Sequence, residues 1–384
     1  IDETSPSALF EVPLRIARDV AAATRFELDG RSAARGGARA FSTFVAWQAR
    51  VRARREALRW RRDAIEHAVE LLDEALTAEG EHVELLTLKA RTLLHLREAG
   101  IDGSDGPLRR AEDLAARARA LAPSAPSLGV LEGWLCYQRG ELAGAVRALR
   151  RALAPDWCDV DGLGLLANCL LLAGRPAAAA PVIRRVLDLD PLTPLHRCMP
   201  GWLAACEGRP EDSIGPYRAM YEADPTNPVA AMFLANVLAL AGRDEEVVAV
   251  AGALPAELAV TPPGRVTRAF ASAAAGAGIP DDPERDGAVA ASAGDMFPRM
   301  LGEACARAGD AEGTARWLGL AVDRGYANHP YLAEHQPWVR ALGNDARVAE
   351  MLERAHAAWL RFDAALDQGG PARNDEGPQQ RAPG

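Results

Sequence analysis

The chain has 384 residues, 49% hydrophobic, 25% charged and only 5% aromatic. That apolar fraction excludes wholesale disorder, and the scarcity of aromatic and β-branched runs argues against a β-sandwich or barrel. A formal charge of −9 gives no reason to expect a basic face, so no nucleic-acid partner is expected of this chain.

The apolar spacing of residues 5–28, "SPSALFEVPLRIARDVAAATRFEL", predicts an amphipathic helix, and Arg31 to Gly37 a break. Phe41 to Trp60 predicts a second helix, strongly basic at "RVRARREALRWRR". The run Arg50 to Arg62 leaves three readings open: a solvated face, docking onto an acidic surface or an upstream domain, and nucleic acid, which the overall charge opposes. Residues 1–60 are assigned as N-terminal linker helices, and a chain that begins at Ile1 is expected to be part of something longer.

Residues 61–275 carry a repeat. "LEGWLCYQRG", "LLANCLLLAG", "MPGWLAACEG" and "FLANVLALAG" follow one another at intervals of 34 residues. They align Gly133, Ala167, Gly201 and Ala235, then Gly140, Gly174, Gly208 and Gly242. The following helices keep the register at Ala145, Ala179, Ser213 and Val247, and Pro191 and Pro225 close two units. A small residue lets two helices cross closely, and the second glycine supplies the left-handed turn that ends the first helix. Weaker units lie upstream, in "AIEHAVELLDEAL", "HVELLTLKARTLLHL" and "RAEDLAARARAL". "RVTRAFASAAAG" reads as a lone helix. Residues 276–295 read as a Gly/Pro/Asp-rich loop, 296–366 as a closing hairpin with capping helices that contains Gly302 and Gly309, and 367–384 as a disordered tail.

These spacings resemble the tetratricopeptide repeat (TPR), with about seven hairpins in all. The resemblance implies an all-α fold, a right-handed α-solenoid of TPR helical hairpins. The C-terminal run, with Trp317, "RGYANHPYL", Pro337, "ALGNDARV", Trp359 and Phe362, is similar to the closing segment of TPR regions in bacterial multidomain regulators of serine/threonine kinase, adenylyl cyclase or winged-helix type. In that family the TPR half is thought to be a sensing or docking module. Its catalytic or DNA-binding parts lie upstream and have no counterpart in this chain.

The sequence holds no GxSxG, HExxH or Walker A motif, and no kinase Gly-rich loop, HRD or DFG. His196, Cys198 and Cys206 have no common zinc spacing and read as buried structure; His329 and His335 read as a hydrogen-bonded surface loop. The six cysteines read as buried free thiols of a reducing compartment. No catalytic residue, metal or cofactor is expected, and no apolar run is long enough to span a membrane, so a cytoplasmic location is expected.

The candidate site is the concave groove. The residue after each small first-helix position should point into it: Trp134, Asn168, Trp202 and Asn236. Tyr137 and Gln138 lie one turn further on. Arg91 and His95 come from the preceding unit, and Glu303 and Arg307 from the last. Indoles supply apolar contact area, and Asn amides can hold an extended peptide by its backbone. The resemblance to peptide-binding TPR grooves has a departure: the Lys/Arg pair that clamps a terminal carboxylate is missing. The expected function is a non-enzymatic scaffold or sensor that binds a protein or peptide partner, with the regulatory half of a kinase or cyclase as the alternative. The sequence leaves oligomeric state and the partner's identity open.

Overall fold

The computed structural model describes residues 44–153 and 158–367. The helix expected at residues 5–28 and the tail at 368–384 lie outside the described residues. Among the described residues every regular element is helical, and the helices form an α-solenoid of successive antiparallel pairs.

Helix α1 (Phe44–Ala57) pairs with α2 (Arg62–Glu79), and α3 (Val83–Glu98) with α4 (Gly106–Leu121). The regular units follow: α5 (Pro126–Gln138) with α6 (Leu142–Ala152), and α7 (Val160–Leu172) with α8 (Pro176–Leu189). In the next unit the first helix is split into a short α9 (Pro194–Arg197) and α10 (Met199–Cys206), paired with α11 (Pro210–Ala223). Then come α12 (Pro228–Leu240) with α13 (Asp244–Gly252), a short α14 (Ala256–Ala259), α15 (Pro262–Ala274) and α16 (Pro283–Ala291). Helices α17 (Met296–Arg307) and α18 (Ala311–Asp323) form the last pair. A π-helical turn (Tyr331–His335), α19 (Pro337–Ala341) and the long α20 (Ala346–Asp367) complete the chain.

The repeat chemistry works as read. A Cβ placed on Gly133 would sit 2.6 Å from the Leu149 side chain, so the first two helices of that unit cross too closely for any other residue. Ala145, Ala179, Ser213 and Val247 are fully buried at the matching crossings, and Ser213 Oγ donates to the Gly201 carbonyl at 2.8 Å. Side-chain caps start several helices: Asp159 accepts from Gly162 N–H, Asn227 from Val229 and Ala230, and Asp310 from Gly313.

Two assignments change. The register has a fifth member: Gly276 lies 34 residues after Gly242 and has φ +70°. Helix α15 is therefore the first helix of another unit rather than a lone helix. The expected 276–295 loop contains α16, which starts on the Asp282 cap with Pro283 in its first turn. Pro283, Gly287 and the flanking Asp residues gave the segment a loop-like composition, but an Asp cap followed by Pro is also a helix start.

The C-terminal segment does not simply extend the stack. It runs back along the loop edge of the central units, over three of the register glycines. A Cβ on Gly140 would lie 2.7 Å from the Arg324 carbonyl oxygen, one on Gly174 would lie 2.9 Å from Asn328 Oδ1, and one on Gly208 would lie 2.6 Å from His335 Nδ1. Ala327 N–H donates to the Leu172 carbonyl (3.0 Å) and Asn328 Nδ2 to that of Leu171 (2.8 Å). Arg175 pairs with Asp363 and stacks on Trp359. One continuous apolar core therefore runs from Ile65 to Phe362.

Candidate ligand cavity in the solenoid interior

The inner face of the first helices, together with α17 of the last pair, lines a partly open cavity of about 170 Å³. Six of the seven groove residues expected from the repeat line it together: Trp134, Tyr137, Gln138, Asn168, Trp202 and Asn236. The seventh, Arg91, lies behind the wall, its guanidinium 4.4 Å from the centre of the Trp134 ring. Of the outer candidates, His95 lines the cavity. Glu303 lies beside it, and Arg307 is turned away to Asp244 and Trp338.

Several of these side chains are already committed to one another. Trp134 Nε1 and Gln138 Nε2 both donate to Glu98 Oε1, at 3.2 and 2.9 Å, and His95 holds Glu98 Oε2 at 2.8 Å. Asn236 Nδ2 donates to Glu303 Oε2 at 2.8 Å, so two equivalent repeat positions meet across the groove. Glu303 is fully buried and also accepts from Tyr331 Oη and Gln336 Nε2. The amide of Asn168 and the hydroxyl of Tyr137 make no such bond among the described residues and remain available at the cavity.

A charge network backs one side of the wall. Arg54 of α1 forms a two-point bond to Asp161 (2.8 and 2.7 Å) and a third bond to Asp190 (3.0 Å). Arg91 binds Asp159 (2.7 Å) and Asp161 (3.1 Å). His196 sits between Asp161 and Asp190, 3.5 and 3.4 Å from them. Burial opposes ionisation of Asp161, yet hydrogen bonds from Arg54 and His196 hold its carboxyl well below the usual carboxylate range. Burial likewise opposes ionisation of Asp190, whose bonds from Thr193 and Arg54 hold it at about 2. The basic helix is thus docked at Arg54 onto acidic groups of its own chain, while Arg50, Arg52 and Arg55 are exposed.

Most of the other wall residues were not among the expected set, among them Trp60, Asp161, His196, Asp295 and Arg299. Trp60 is the one non-glycine residue with positive φ (54°) among the described residues, and its indole Nε1 is buried without a partner. Asp295 precedes α17, is 4% exposed and makes no side-chain cap bond. Its carboxylate meets Arg299 Nε at 3.4 Å. Burial pushes this carboxyl above the ordinary range, against the pull of Arg299. Arg299 lies 4.7 Å from the Trp202 ring centre and 3.4 Å from Glu303. Asp295, Arg299 and Glu303 are spaced i, i+4, i+8, so the named Glu303 was the available signal for the other two.

The fold and site define an α-solenoid of 34-residue helical hairpins with a partly open inner cavity. No protein-family model matches the chain, and no curated protein matches its sequence. Among solved structures it is similar to a tetratricopeptide repeat protein from Parabacteroides merdae, with 13% identity over 80% of this chain and 99% of that one (TM-score 0.38). It is also similar to yeast Tom70, with 14% identity over 76% of this chain and 62% of that one (TM-score 0.37). A third similar structure is the P58(IPK) TPR domain, with 12% identity over 77% and 94% (TM-score 0.23). These likenesses are shallow, and the helix pairs with their five-glycine register define the architecture on their own. Among the described residues no helix is long and apolar enough to cross a membrane.

Proposed function

We propose that this chain is a non-enzymatic recognition scaffold, the regulatory part of a larger signalling or transcription-regulatory protein. A peptide or partner domain is recognised when one of its side chains enters the interior cavity. The observation that carries this reading is the convergence of Trp134, Tyr137, Gln138, Asn168, Trp202 and Asn236, spread over 103 residues of sequence, on one cavity of about 170 Å³. An engineered cavity of about 150 Å³ in another protein holds one benzene molecule, so this one accommodates a single anchoring group. The returning C-terminal segment and the Asn236–Glu303 bond favour such an anchor over an extended strand laid along the whole groove.

The test is to fill the cavity. Asn168→Trp places an indole where the free amide stands. Proteins captured by the native chain and by this variant are compared by mass spectrometry, with circular dichroism to establish that the variant is folded. The reading predicts loss of the specific partners from a folded variant; unchanged capture would overturn it. The sequence upstream of Ile1 tests the larger-protein part of the proposal.

A further inference from the structure

The charge balance around the cavity is lopsided. Six carboxylates line the wall or belong to the charge network behind it: Glu98, Asp159, Asp161, Asp190, Asp295 and Glu303. Three guanidinium groups, Arg54, Arg91 and Arg299, are bonded to them. Two histidines, His95 and His196, complete the set. Arg324 lies near Asp295 but directs its donors to the Ala290, Val289 and Gly294 carbonyls and to Ser292 Oγ.

Five of these carboxylates have several donors each. Asp295 is the exception. It is buried at the cavity wall, makes no helix-cap bond, and apart from its own N–H has only the 3.4 Å contact to Arg299, which Arg299 shares with Glu303 and the Trp202 face. An incompletely bonded carboxylate in a buried wall is costly unless something else meets it. The wall around it is aromatic: Trp60, Trp134, Tyr137, Trp202, Tyr217 and Phe233. Ring faces attract cations, and this wall already holds two, Arg91 over Trp134 and Arg299 over Trp202.

We infer that the group recognised in this cavity is an ammonium ion on a compact apolar stem, with Asp295 as its counter-ion and the aromatic wall around the stem. This rests on the reading of the cavity as the recognition site. A free amine and the lysine side chain of a partner both carry this ammonium; the chemistry is shared, and the probes separate the sources. An anion of the same shape would meet Asp295, Glu98 and Asp161 instead.

The experiment titrates the full chain with three isosteric probes, benzylamine (protonated at pH 7), benzyl alcohol and benzoate, by calorimetry. Nα-acetyl-lysine methylamide serves as a fourth probe. Benzylamine is expected to bind at least tenfold more tightly than benzyl alcohol, and benzoate not at all. Asp295→Asn should erase the tenfold preference, and Asn168→Trp should block every probe. Burial disfavours the Asp295 charge, so Asp295→Asn should melt no lower than the native chain at pH 7, which separates a binding role from a structural one. Binding of the lysine probe assigns the ammonium to a partner side chain; binding of benzylamine alone assigns it to a free amine. The inference is overturned by benzoate binding as tightly as benzylamine, by an ammonium preference that survives Asp295→Asn, or by failure of both amines to bind. If both amines fail while Asn168→Trp still abolishes partner capture, the cavity remains the recognition site and only the ammonium assignment is lost.

Discussion

Glycine has two jobs in this chain, and one row of equivalent positions separates them. Gly140, Gly174, Gly208, Gly242 and Gly276 all adopt φ between 69° and 76° to end a first helix. Gly140 also lies under the returning C-terminal backbone, whereas a Cβ on Gly242 meets nothing within 4 Å. Gly242→Ala should therefore cost only the left-handed penalty, about 1 kcal/mol. Gly140→Ala should cost roughly 2–3 kcal/mol more, since a methyl 2.7 Å from a backbone oxygen forces the strap away. Thermal or urea unfolding of the two variants checks this; equal losses would mean that the C-terminal segment does not press on the Gly140 turn. The helix-ending job was legible in the 34-residue spacing. The second was not, because the segment over Gly140 lies more than 180 residues further along the chain.

Helix α1 shows the same limit for a whole element. The Phe41 to Trp60 helix was legible from spacing and is present as Phe44–Ala57. Among the residues whose side chains are described, its buried face is Ala46, Ala49, Ala53 and Ala57, whose four methyls contribute about 3 kcal/mol at ~0.8 kcal/mol per buried carbon. Arg54 adds a charged anchor to this small-residue face. Its partners Asp161 and Asp190 lie 107 and 136 residues away, beyond any local pattern, which is why its docking stood open among three readings. Arg54→Ala should destabilise the chain by roughly 2–3 kcal/mol and speed amide exchange through residues 44–57. The acid limb should change too. The folded-state carboxyls of Asp161 and Asp190 are held below their unfolded values. The stability they supply is therefore present above the unfolded carboxylate range, near 4, and is lost as pH falls through about 2. Unfolding followed from pH 5 to pH 2 should show a shallower loss in the variant; identical slopes would contradict this role for the network.

At the scale of the molecule, periodicity carried the architecture and half of the site. A repeat fixes which side of each first helix faces inward, so Trp134, Asn168, Trp202 and Asn236 could be placed on one surface before any coordinates. It says nothing about where the stack turns back on itself. The last helix pair supplies Asp295 and Arg299 to the wall and couples Asn236 to Glu303. Asp295 and Arg299 precede the repeat position held by Glu303 by two turns and one turn of the same chain segment, so the register alone did not single them out. The composition reads differently in this light. Aromatic residues are few in the chain, yet six of them line one interior space.

On the proposed reading, recognition happens inside this cavity. Hydrogen–deuterium exchange of the full chain, alone and with a partner recovered by capture, tests it directly. The account predicts added protection at residues 134–138, 164–168, 199–202 and 295–300, which lie on four separate helices around one space. Protection confined to the outer helices α4, α6, α8 and α11, with the inner set unchanged, would contradict it.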